Sequence, residues 1–246
     1  MRLSLQMYTV RDQFSENPVA TYSAIKAAGL DYVEGGGNFG GATPEEGRKL
    51  LDEAGLQASG SHVPLTELEG DLRPVAERAQ TLGFKYVILP WIDANVYAGG
   101  WAAVGRRLST VGQKLKEHGL IFCYHNHAFE FENEGEPGLD VLYGAADPNF
   151  VKAELDVAWI QIGGANPAEY IRKYKSRLPL LHLKDFDPDK NPRWRAAGDG
   201  IVDWDACLAA AREGSVDFAA IELDESPGAP MDSVRRSVEF FKARGL

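Results

Sequence analysis

The stretch LRPVAERAQTLGFKYVILP, residues 72–90, holds one complete unit of the fold. Leu72, Val75, Ala79 and Leu82 recur at the spacing of a helix with one apolar face. Gly83 follows, and a residue free to turn left-handed is a common helix stop. Lys85–Leu89 is then a short apolar run, closed by Pro90. The spacing predicts a helix over Leu72–Leu82 and a strand over Lys85–Leu89.

The same alternation runs outward in both directions. Strands are predicted at Leu3–Met7, Tyr32–Glu34, Gln57–Ser61, Lys85–Leu89, Leu120–Tyr124, Val151–Leu155, Leu178–Leu183 and Phe218–Glu222. Helical spacing follows at Pro18–Ala28, Pro44–Ala54, Leu72–Leu82, Trp101–His118, Leu139–Ala145, Pro167–Tyr174, Trp204–Ala211 and Ser233–Ala243. Thr43-Pro44 and Asn166-Pro167 carry helix-start chemistry, with proline at the first helical position. Strands alternating with helices imply a parallel sheet covered by helices. Eight such units in 246 residues match a single (β/α)8 TIM barrel. A doubly wound open sheet would usually follow its first strand with Gly-x-Gly-x-x-Gly. Here that strand runs into Tyr8-Thr9-Val10-Arg11-Asp12. With no Pro/Ser-rich linker, residues 1–246 read as one domain.

Twenty-six basic against 36 acidic residues leave a net charge of −10, which argues against a nucleic-acid partner needing a basic patch. No apolar run reaches the roughly 18–20 residues of a membrane span, and the N-terminus lacks the apolar core of a secretory signal. The two cysteines, Cys123 and Cys207, make no disulfide scaffold, so the expected compartment is the cytoplasm.

A TIM barrel places its active site at the C-terminal ends of its strands. Four of the five histidines, His62, His125, His127 and His182, fall at predicted strand ends. Asp156 and Glu222 end otherwise apolar strands, where an unpaired charge is costly to bury. His182 and Lys184 share a face by the two-residue period of strand 7. Carboxylates and imidazole converging from strands 5 to 8 suit a divalent ion such as Mn²⁺, Mg²⁺, Co²⁺ or Zn²⁺. An ion-pair network closing the barrel mouth is the alternative.

Five segments occur in order: Leu5-Gln6-Met7-Tyr8-Thr9-Val10-Arg11, Tyr124-His125-Asn126-His127-Ala128-Phe129-Glu130-Phe131, Glu154-Leu155-Asp156-Val157-Ala158-Trp159, His182-Leu183-Lys184-Asp185 and Gly198-Asp199-Gly200-Ile201-Val202-Asp203-Trp204. With them the chain resembles, over nearly its whole length, the sugar phosphate isomerase/epimerase proteins with a xylose isomerase-like TIM barrel. The resemblance implies a metal set of Glu, Asp, His and Glu from strands 5 to 8. Asp156, His182 and Glu222 fill three places. At the strand-5 place this chain has Tyr124-His125, so Glu130 is the candidate ligand and His125 or His127 its competitor. The resemblance also implies a sugar substrate and a homo-oligomer.

A divalent ion polarises a carbonyl and acidifies the neighbouring C–H for a general base. Glu222, Glu130 and His127 are candidate bases, and Lys184 can stabilise or reprotonate the enolate oxygen. His62, Trp91, His125 and Trp159 are candidate substrate contacts, although core packing explains the aromatics equally well. Gly198-Asp199-Gly200 is the one candidate phosphate loop, and Asp199 would repel phosphate, so a non-phosphorylated sugar or keto-sugar is expected. The leading expectation is an isomerase or epimerase. A lyase or dehydratase acting through the same enolate is the alternative. An endonuclease-IV-like repair enzyme and a non-catalytic sugar-binding barrel rank below both.

Overall fold

The computed structural model describes residues 1–132 and 135–246. Eight strands close into a parallel barrel: β1 (Arg2–Gln6), β2 (Tyr32–Gly36), β3 (Gln57–His62), β4 (Tyr86–Leu89), β5 (Ile121–His125), β6 (Val151–Asp156), β7 (Leu180–Leu183) and β8 (Phe218–Ile221). Each pairs with its sequence neighbours, and β8 closes on β1 with Arg2 opposite Phe218. The eightfold barrel expected from the alternating pattern is the observed fold.

The surrounding helices begin as their sequences direct. Thr43 accepts from the Glu46 amide and Asn166 from the Glu169 amide, each capping a helix that opens with proline. Gly55 and Gly83 end their helices at φ of 66° and 84°. The last helix, Pro230–Lys242, starts three residues before the expected Ser233 because Pro230 occupies its first turn. A two-stranded ribbon, Asp185–Phe186 with Trp194–Arg195, follows β7 and was absent from the sequence expectation. Among the described residues no helix is long and apolar enough to cross a membrane.

Strand alternation sorts the side chains into two sets. Val151, Ala153 and Leu155 of β6, Leu181 and Leu183 of β7, and Ala219 and Ile221 of β8 join the core between sheet and helices. The intervening residues point into the barrel. At its base Tyr86, Ile88, Cys123, Leu180 and Phe218 form a separate apolar plug. Toward the C-terminal rim the inward positions turn ionisable: Cys123 gives way to His125, Leu180 to His182, and Phe218 to Glu222. A bulge sharpens this arrangement. Val33 opposes Ala58 but Glu34 opposes Gly60, so β3 gains a residue and His62 arrives opposite Gly36.

Candidate active site

The rim residues lie in two adjoining donor groups. One ligand atom each from His125, Asp156, His182 and Glu222 falls within 4.8 Å of the others, and so do atoms from Glu34, His62, Glu154 and His182. His182 stands between them. Its Nδ1 lies 2.7 Å from Glu222 Oε2 and its Nε2 2.7 Å from Glu34 Oε1.

Each member of the first group is positioned by its strand end. Asp156 uses Oδ1 to accept from the Trp159 amide, capping the helix Val157–Ile162, while Oδ2 has no hydrogen-bond partner and lies 3.3 Å from Lys184 Nζ. Asn126 Oδ1 accepts from the Asp156 amide and ties β6 to the loop after β5. Lys184 Nζ also approaches Glu222 Oε2 at 3.1 Å and donates to Asp224 Oδ1 at 2.8 Å. His125 Nδ1 lies 3.3 Å from Glu154 Oε2.

Electrostatics separates the groups by charge state. Burial opposes ionisation of Glu222, but Lys184 and then His182 outweigh it and hold the carboxyl well below its usual range. Burial lifts Asp156 to about 6 against the pull of Lys184. Burial and the charge of Glu34 lift Glu154 to about 7. Burial disfavours the Lys184 cation, yet Asp156 and Glu222 keep it protonated. Burial and Lys184 push His127 down to about 3, so its ring is neutral. Burial also lowers His125, with His182 and His127 adding to the effect, leaving a neutral imidazole suited to ligation.

Two carboxylates and two imidazoles, all buried, with the Asp156 Oδ2 and His125 Nδ1 lacking hydrogen-bond partners, fit a divalent ion of the first-row type. The expected Glu130 does not join them. By strand alternation Tyr124 faces outward while His125 faces the barrel interior, and the turn Phe129–Phe131 folds Glu130 back onto the Tyr124 side. There Glu130 accepts from the Tyr124 hydroxyl at 2.7 Å and the His127 amide at 2.9 Å. His125 stands in the donor group in its place.

The other expected residues meet around one cavity of about 920 Å³, whose lining includes His62, Trp91, His125, His127, Trp159, Lys184 and Glu222. His62 Nε2 lies 3.1 Å from Glu34 Oε1, so this histidine belongs to the second donor group as well as to the wall. Sequence reading missed Glu34 and Glu154. The signal was the two-residue period itself: counting back from Asp156 puts Glu154 on the same inward face. Gln6 was missed too; its Nε2 donates to Glu34 Oε1 at 2.7 Å.

The loop after β7 is organised by one side chain. Asp185 is buried and accepts from the Gly198 and Gly200 amides and the Trp204 indole. The amides of Gly198 and Gly200, the candidate phosphate loop, are thus taken up by Asp185.

The chain is similar to several known proteins. The chain is 24% identical over 163 residues to an inosose dehydratase of Clostridium botulinum (strain Alaska E43 / Type E3), a match covering 58% of this chain and 54% of that protein. It thus spans about half the length of the curated relatives it matches. A sugar phosphate isomerase/epimerase from Parabacteroides distasonis superposes with a TM-score of 0.87 at 22% identity, covering 99% of this chain and 94% of that one. The IolI protein with a bound zinc atom superposes at 0.76 with 15% identity, covering 99% and 97%. The family described as the xylose isomerase-like TIM barrel matches residues 22–244, and the chain belongs to that family.

Proposed function

We propose that this chain is a divalent-metal-dependent enzyme that removes the proton beside a ketone of a non-phosphorylated sugar or cyclitol. The observation that carries the reading is the convergence of His125, Asp156, His182 and Glu222 beside the same cavity as Lys184. These four would hold the ion, which when bound supplies Lewis-acid polarisation of a carbonyl. Glu222 is ionised, so one of its carboxylate oxygens would hold the ion while the other is available to take a substrate proton. The Lys184 ammonium stabilises negative charge as it develops on the enolate oxygen.

Two outcomes share this first step. Returning the proton to another face or carbon gives epimerisation or isomerisation, and that route is served best by a second base. Losing a β-hydroxyl needs one base and an acid. With Glu130 held on the far side of β5 by Tyr124, the strand-5 carboxylate that would act as a second base is not at the site, which favours the dehydratase route. The relatives named inosose dehydratase are in keeping with it.

The test combines product analysis with isotope exchange on candidate keto-sugars and inososes in deuterated water. Deuterium should enter the carbon beside the ketone even where net turnover is slow. Glu222→Gln should lower turnover by about 10² or more if a general base is lost. Lys184→Met should impair turnover while the protein still retains metal. Turnover without deuterium entry would refute proton abstraction, and epimer instead of unsaturated product would refute the dehydratase outcome.

A further inference from the structure

The cavity is far from uniform around the rim. The ionisable groups that line it, apart from Tyr8, Arg11 and His62, come from the segments after β5 to β8, where Phe129 and Trp159 also lie, whereas Tyr8, Phe14, Gly35, Gly36, Pro90 and Trp91 line the side built by β1 to β4. We infer that this second side is a subsite for a ring attached to the reacting sugar, so that the substrate is a glycoside or similar two-ring ketone carrying an aromatic or other flat apolar group. The inference rests on the proposed sugar chemistry and narrows it.

Three observations support it. At about 920 Å³ the cavity lies near the upper end of the roughly 300–1,000 Å³ of pockets that enclose drug-sized ligands, more than one pyranose requires. Among the described residues, the two large aromatics that are substantially exposed are Tyr8 at 51% and Trp91 at 49%, and both line this cavity. Their rings are also held in place before any ligand arrives. Trp91 stands edge-on to His127 at 4.7 Å and Phe129 at 4.9 Å, and its indole nitrogen donates to Asp93. Arg11 covers one face of Tyr8 at 4.1 Å and is itself fixed by the carbonyls of Tyr8 and Asp224. Fixed, half-bare aromatic rings gain most from a flat apolar partner.

Between the two rings, β2 ends in Gly35 and Gly36, which leave the wall open. A Cβ at Gly36 would meet the His62 carbonyl only at 3.4 Å, an ordinary contact, so a side chain fits there and would occupy the subsite. At Gly35 a Cβ would press on Phe39 at 3.0 Å, so Gly36 is the position to alter.

Equilibrium binding of phenyl and methyl β-D-glucopyranoside to the full, Mn²⁺-supplemented chain, by calorimetry or tryptophan fluorescence, tests the subsite without requiring turnover. The phenyl glycoside should bind about tenfold more tightly, the equivalent of about 1.4 kcal/mol of stacking. Gly36→Val, which fills the space, and Trp91→Ala, which removes the platform, should each bring the two affinities within about twofold. Equal affinities in the unaltered protein, no binding of either glycoside, or a phenyl preference surviving both substitutions would overturn the subsite. Failure of deuterium exchange would refute the proton-transfer reading and leave this binding result standing.

Discussion

Glu130 shows how much a single carboxyl can reveal when it lies beside the chemistry rather than in it. Burial raises it from 4.5 to about 8, against the stabilising donors of Tyr124 and the His127 amide. Below about pH 4.5 neither folded nor unfolded chain ionises this group, so its contribution to stability is fully present there. Between 4.5 and 8 the unfolded chain ionises while the folded chain keeps the proton, and each pH unit removes up to about 1.4 kcal/mol. Glu130→Gln should therefore flatten the fall in stability from pH 5 to pH 8, read from urea midpoints across that range. Parallel curves for the two proteins would show that Glu130 is ionised in the fold. The residue was drawn into the metal set by its nearness in sequence to strand 5. What decided otherwise was the orientation of Tyr124, and the three-residue turn Phe129–Phe131 is too short to carry a periodic signal. Glu154 failed to stand out for the opposite reason: it lies inside a strand, one inward position below the residue whose strand-terminal place drew attention.

At the scale of elements, the alternation of strand and helix was plain because it is written many times over, in apolar spacing, prolines at helix starts and glycines at helix ends. The ribbon Asp185–Phe186 with Trp194–Arg195 was not, because each arm has two residues, too short for any period. What holds the segment after it in place is a buried side chain and not a pattern. Asp185 gathers the Gly198, Gly200 and Val202 amides and the Trp204 indole, and binds the loop to the start of the helix Trp204–Arg212. Removing it would strand several buried donors, each costing about 1–3 kcal/mol. Asp185→Ala should lose about 3 kcal/mol or more in chemical denaturation, and a loss under 1 kcal/mol would mean the loop finds other partners.

Across the whole molecule, the rim groups tie seven of the eight strands together: Gln6 from β1, Glu34 from β2, His62 from β3, His125 from β5, Asp156 from β6, His182 from β7, and Glu222 just past the end of β8. An ion bound there would brace the closure of the barrel as well as serve chemistry. Stripping metal with a chelator should lower the melting temperature, and adding Mn²⁺ or Zn²⁺ at about a hundred times its Kd should return about 2.7 kcal/mol, at roughly 2–4 °C per kcal/mol for a chain of this class. His125→Ala should reduce that gain. A melting temperature indifferent to metal would leave the donors as an ion-pair network. The division of the rim has a further consequence for how such a protein changes over generations. On the proposed reading, the groups that would move protons lie mainly after β5 to β8 and the rings that would hold the substrate's remainder after β1 and β4, the two meeting where Trp91 touches His127. On that reading, substitutions at Tyr8 or Gly36 would change which attached group is accepted while leaving His125, Asp156, His182 and Glu222 in place, so that acceptance and reaction could change one at a time.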